Sequence, residues 1–126
     1  MTTWRQDDLA AIGGADEVGI SSTRPDGSVR PYVTIWAVRV GDDLYIRSAH
    51  GGDNPWYRRA LASGTGRIRG GGIERDVSFE PAGAEQQQAI DAEYHRKYDR
   101  YGAKIVDSVV GEPVHALTLR LRPTTG

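Results

Sequence analysis

Hydrophobic and polar positions along the chain change period several times, and those changes mark the elements. Asp7-Asp8-Leu9-Ala10-Ala11-Ile12 reads as a short helix, with acids in its first turn and Gly13-Gly14 stopping it. Val18 and Ile20 then alternate with small or polar residues up to Thr23, and Arg24-Pro25-Asp26-Gly27 is a turn sequence. The stretch from Tyr32 to Val40 is apolar on both faces, with Tyr32, Thr34, Trp36, Val38 and Val40 on one and Val33, Ile35 and Ala37 on the other. A strand of that kind is covered on both sides. Gly41-Asp42-Asp43 turns the chain, and Leu44-Tyr45-Ile46-Arg47-Ser48 returns antiparallel. Asn54-Pro55 opens a second helix, which Ser63-Gly64 ends. Arg67 to Phe79 forms a hairpin around Gly70-Gly71-Gly72. A longer helix is predicted from near Ala84 to about Tyr101. Its apolar stripe of Ile90, Tyr94, Tyr98 and Tyr101 continues to Ile105 and Val109 past a break at Gly102.

The pattern predicts strands at 16–23, 30–40, 43–49, 65–70, 73–80 and 113–122. Six short strands with tight turns and interspersed helices imply an α+β fold, a small six-stranded antiparallel barrel with three or four flanking helices. At 126 residues, the chain is expected to form one domain over 1–126. Composition adds exclusions. The formal net charge of −1 argues against a nucleic-acid partner, which calls for a basic excess. The absence of cysteine removes disulfides, thiolate metal sites and a cysteine nucleophile, and fits a reducing cytoplasm. No apolar run approaches the ~18 residues that span a bilayer, and the polar start of the chain resembles no targeting segment.

Candidate chemistry concentrates between Arg47 and Arg59. A strand ends near Ser48, the pair Gly51-Gly52 frees the backbone, and a helix begins at Asn54-Pro55. Curled backbone N–H groups and a helix N-terminus suit a phosphate, and Arg58 and Arg59 add positive charge in the first turn. The same features also describe a plain strand-to-helix connection.

Ser48-x-x-Gly51-Gly52-x-x-Pro55-Trp56-Tyr57 resembles the Ser-x-Gly-Gly…Pro-x-Trp-Tyr signature of deazaflavin-dependent nitroreductases. These are a branch of the split β-barrels that also include the pyridoxamine-phosphate oxidases. The likeness spans roughly residues 28–80, with one more residue between Ser48 and Gly51 than that branch usually has. Over its whole length the chain is more similar to the bacterial group domain of unknown function 2255, on Thr34-Ile35-Trp36, Trp56-Tyr57-Arg58-Arg59-Ala60 and Tyr98-x-x-Tyr101-Gly102. The resemblance implies a split barrel that binds FMN or a deazaflavin. Ser48, Gly51 and Gly52 would contact the cofactor phosphate, Arg30 would add a cation to it, Trp56 would close the pocket, and Thr34 and Trp36 would line the ring. It also implies a homodimer and a small-molecule substrate.

Three residues are candidate proton donors: Tyr98 and Tyr101 on the tyrosine stripe, and His50 on the glycine loop. The stripe alone is also explained by packing of a helix on the barrel. His50, His95 and His115 lack metal-ligand spacing, so no metal site is expected. His95, Arg96, Lys97, Arg100 and Lys104 read as a solvated face. Three functions remain open: a flavin- or deazaflavin-dependent oxidoreductase, a cofactor-free module binding a small ligand, and a non-redox enzyme using a Tyr or His acid–base in the barrel cleft.

Overall fold

The structure, a computed structural model, describes residues 3–49 and 51–124. Seven strands, β1 (Val18–Ser22), β2 (Val33–Ile35), β3 (Ala37–Val40), β4 (Asp43–Arg47), β5 (Thr65–Gly70), β6 (Ile73–Pro81) and β7 (Thr118–Pro123), form one antiparallel sheet in the order β2-β1-β5-β6-β7-β4-β3. Five helices accompany it: α1 (Gln6–Gly14), α2 (Pro55–Ser63), α3 (Gln87–Tyr98), α4 (Ala103–Val106) and α5 (Glu112–His115). The result is the expected α+β barrel, nearly closed. Its closure comes from one continuous stretch of chain. The two ends of the sheet, β2 and β3, are consecutive segments separated only by Trp36. Val33 to Ile35 pairs with β1, through Ile20↔Val33 and Val18↔Ile35, while Ala37 to Val40 pairs with β4, through Ala37↔Ile46 and Val40↔Asp43.

The predicted strand 30–40 is therefore two strands. Both halves are apolar and carry good strand formers, so nothing local marks Trp36 as the point where pairing changes partner. The last strand also differs from expectation, beginning at Thr118 rather than at 113. Glu112–His115 is a helical turn instead, with Pro113 in its first turn, where the missing N–H has no partner to lose. The long helix ends at Tyr98, and a short 3-10 turn carries the chain to Gly102, whose φ of 115° permits the change of direction.

The core has two parts. Inside the barrel, Val18, Ile20, Ala37, Leu44, Ile46, Ile68, Val77, Leu119 and Leu121 pack with Leu9 and Ile12 of α1 and Trp56 of α2. Outside it, Val38 and Tyr45 meet Ile90, Tyr94 and Tyr98 of α3, together with Val106 and Val109. The two-sided apolar pattern has the expected cause only around Ala37 and Val38, since Val33 and Thr34 of β2 are exposed. Ala37 faces the barrel, and Val38 faces a helix rather than water. Among the described residues no helix is long and apolar enough to cross a membrane.

Candidate functional site

Trp56 lines two of three cavities that share residues with one another. It is the second residue of α2, held 7% exposed against the barrel core. On one side lies a cavity of about 350 Å3 whose apolar wall is Val33, Ile35, Trp36, Trp56, Ile105 and Val109. Thr34, Asn54 and Ser108 give this wall its small polar groups. On the other side, Val33 and Trp56 also line a cavity of about 320 Å3 that contains Arg24, Arg30 and Arg59. Beyond it, the same three arginines line a third cavity of about 360 Å3, with Pro25, Ala62, Ser63 and Thr65.

In the first cavity, Trp36 is held in place from behind. Its ring stacks on Tyr98 with centroids 3.9 Å apart and planes within 4° of parallel. Tyr98 is fully buried, and its hydroxyl faces the carbonyls of Asp16, at 2.9 Å, and Ala37, at 3.1 Å. Burial pushes its pKa upward, so the phenol keeps its proton. Tyr101 is 43% exposed, with its ring 5.8 Å from Trp36, and its hydroxyl accepts a hydrogen bond from Arg100. The hydroxyl proton is thereby left for another acceptor.

Lys97 corrects the reading of a solvated basic face. The residue is 8% exposed, lies over the Tyr98 ring and donates to the Ala37 carbonyl at 2.6 Å. Burial pulls its pKa down to about 8, although Asp16 and Glu93 act in the opposite sense. Its neighbours His95, Arg96 and Arg100 do face solvent.

Arg47 reaches the cavity wall from β4 but has no donor to spare. Its side chain is completely buried. Nε donates to Thr118 Oγ1 at 2.9 Å. Nη1 donates to Asp91 Oδ1 at 2.5 Å and to the Val109 carbonyl at 2.7 Å. Nη2 donates to Gln87 Oε1 at 2.7 Å and to the Gln87 carbonyl at 3.4 Å. Five N–H groups meet five acceptors. Asp91 also accepts from His115 Nε2 and from the Gly111 amide. Burial alone would raise the Asp91 pKa, but the hydrogen bonds from His115 and Arg47 outweigh it and hold the carboxyl below its usual range. This network pins the segment carrying Ile105, Ser108 and Val109 over the cavity.

Arg30 is the opposite case. Its backbone is fixed, since its N–H donates to the Ser22 carbonyl and its carbonyl accepts from Ser21 Oγ at 2.6 Å. Its Nε is buried without a hydrogen-bond partner.

Of the residues named from sequence, Thr34, Trp36 and Trp56 line the first cavity, and Arg30 lies one cavity further on. Ser48, Gly51 and Gly52 form the expected strand-to-helix loop, where Ser48 Oγ donates to the Gly51 carbonyl at 2.6 Å and Gly51 takes a φ of 103°. A Cβ on Gly52 would meet Leu117 at 3.4 Å. Arg58 is exposed on α2 and lines none of these three cavities, whereas Arg59 does. Helical spacing explains the difference, because position i+3 from Trp56 shares its face and position i+2 does not. His50 lies outside the described residues. Sequence reasoning passed over Arg24, read only as part of a turn, Asn54, read only as a helix cap, and the 105–109 segment.

The family profile described as an uncharacterized protein conserved in bacteria, DUF2255, matches residues 8–121. The chain belongs to that family. No curated protein matches the sequence. Solved structures similar in fold include HutZ, the heme storage protein from Vibrio cholerae, with a TM-score of 0.64 at 10% identity over 89% of this chain and 84% of HutZ. An F420-H2 dependent reductase, FDR-A, aligns with a TM-score of 0.60 at 17% identity over 85% of this chain and 93% of its own. A chain described as a domain-swapped dimer also aligns with a TM-score of 0.60 at 17% identity, over 85% of this chain and 79% of its own. At such identities the likeness is one of fold alone, that of a split barrel.

Proposed function

We propose that the chain is a small oxidoreductase that holds FMN or a deazaflavin in the Trp36–Trp56 cavity and serves hydride transfer to a small organic substrate. The observation that carries this reading is the cavity itself, flat-walled by two tryptophans and opening past Trp56 toward arginines. The buried, unpartnered Nε of Arg30 fits a group that brings an anion, as a cofactor phosphate does. Bound there, the cofactor would supply the redox chemistry. Trp36, backed by Tyr98, would set the plane of the ring, while Ile35, Ile105 and Val109 would exclude water. Asn54 and Thr34 would offer polar contacts to its edge, and Tyr101, in an adjoining recess on the other side of Trp36 and Ile105, would be a proton donor. Ala49, from the loop that carries Ser48, Gly51 and Gly52, would lie beside the ring. Homodimerisation fits the exposed apolar residues Val33 and Ile105 that border the cavity.

Support for this reading includes the reductase named among the structural relatives, and the heme storage protein HutZ keeps a second reading in view. In that reading the cavity binds a flat ligand without turning it over. The closed hydrogen bonding of Arg47 and Tyr98, which leaves few free proton donors at the wall, favours it.

The test is fluorescence titration of the purified protein with FMN and with a deazaflavin, followed by reduction assays on the complex that forms. Trp36→Ala is expected to weaken binding about tenfold or more, on the order of 1–3 kcal/mol for a lost aromatic platform. If neither cofactor binds at high micromolar concentration, the redox reading fails.

A further inference from the structure

Seven arginines in this chain, Arg47, Arg67, Arg75, Arg96, Arg100, Arg120 and Arg122, are paired with carboxylates. Of the seven other arginines, none in a carboxylate ion pair among the described residues, Arg24, Arg30 and Arg59 converge on one place. Arg24 donates only to neutral acceptors of its own turn, Ser28 Oγ at 3.3 Å and the Val29 carbonyl at 3.4 Å. The nearby acid, Asp26, is charge-coupled to Arg24, but its Oδ1 is taken by the Ser28 amide and hydroxyl. Arg30 carries the buried Nε with no partner. Arg59 projects from α2 on the Trp56 face.

Three guanidiniums brought together with no carboxylate in direct contact repel one another, and a buried donor left unpaired costs free energy. A bound anion relieves both. The cavities add a direction. The arginines line both the cavity behind Trp56 and the one beyond it, so they stand between two spaces rather than at the end of one. A terminal phosphate would occupy the nearer space and leave the further one, with Ser63 and Thr65 on its wall, without a function.

We infer that Arg24, Arg30 and Arg59 form a site for a doubly anionic segment of the diphosphate type, lying inside a ligand that extends on both sides of it. One end of that ligand would rest in the Trp36–Trp56 cavity and the other in the cavity floored by Pro25, Ala62 and Thr65. The inference rests on the cofactor reading for the identity of the first end, but the anion site stands on its own residues.

The test uses inorganic pyrophosphate and orthophosphate as probes, titrated calorimetrically at low ionic strength into the intact chain, with Arg24→Gln, Arg30→Gln and Arg59→Gln as variants. Pyrophosphate is expected to bind at least about tenfold more tightly than orthophosphate, and each variant to weaken it by about tenfold or more. Affinity is also expected to fall steeply with added salt. Arg24 and Arg59 are exposed enough that their variants keep the fold, and circular dichroism checks this. Equal affinity for the two probes would overturn the two-cavity geometry. Pyrophosphate binding that none of the three variants alters would overturn the assignment of residues. Pyrophosphate binding in a protein that takes up neither FMN nor a deazaflavin would support the site while the redox reading alone fails. Flavin binding that pyrophosphate does not displace, together with indifference to all three variants, would sink this inference and spare the redox reading.

Discussion

Arg47 and Arg30 are the same residue in two different situations on either side of one cleft. Arg47 is the more deeply buried, yet each of its N–H groups has an acceptor, drawn from β7, α3 and the segment over the cavity. Arg30 is only partly buried, yet its Nε has none. Burial alone therefore does not separate a structural arginine from a ligand-binding one. What separates them is whether the protein itself completes the hydrogen bonding. A closed network holds the fold and is of no direct use to a ligand, whereas an open one costs stability and is kept where a partner completes it.

That contrast makes predictions that differ in size and sign. The largest effect is expected for Arg47→Met. It leaves Asp91, Gln87 and the Val109 carbonyl without their shared donor, and stability should fall by about 3–5 kcal/mol in urea denaturation. A loss under about 1 kcal/mol would show that the network is not holding the cavity roof. Next is Lys97, buried behind Trp36. Its pKa is about 8 in the fold against 10.5 for the free side chain, so the unfolded chain binds the extra proton between those values. Stability of the wild type relative to Lys97→Met should therefore rise as pH increases from about 8 to about 10, by on the order of 2 kcal/mol. Denaturation midpoints at pH 7.5, 9 and 10 measure it, and a flat difference would mean that the ammonium is not desolvated. The smallest effect is expected for Arg30→Met. Removing an unpartnered buried donor should leave stability within about 1 kcal/mol of wild type, or slightly above it, while pyrophosphate binding weakens by about tenfold or more. A large destabilisation would place Arg30 in the same class as Arg47.

The legible part of this molecule was what local pattern controls. Alternation at Val18 and Ile20, the Asn54-Pro55 helix start and the tyrosine stripe of α3 all fell where periodicity put them. So did the two-faced burial of the stretch around Ala37 and Val38. The exchange of strand partners at Trp36 was not legible, because it depends on which distant strands, β1 and β4, compete for the two halves. Lys97 misled because a cation among cations reads as surface, and only the fold shows the Ala37 carbonyl that receives it. For the candidate site, Trp36, Trp56, Thr34 and Arg30 were singled out through a resemblance, and the fold brings them to adjoining cavities. Arg24 and Arg59 are 35 residues apart in sequence, and a turn and a helix face had to be brought together before their convergence on one cavity became visible.

The position of β7 has a consequence for how the chain reaches this state. Seventh in sequence, it lies inside the sheet, with Leu121 opposite Leu44 on one flank and opposite Phe79 on the other. Until Thr118 to Pro123 is in place, β4 and β6 each present a bare edge, and the two sub-sheets they belong to are joined only by chain connections, the stretch around Trp36 and the one through α2. Assembly therefore waits on pairings far apart in sequence, a topology that folds slowly and leaves sticky edges exposed while it does so. Loss of this one strand would not trim the barrel but split it into two open sheets, each free to pair with another copy.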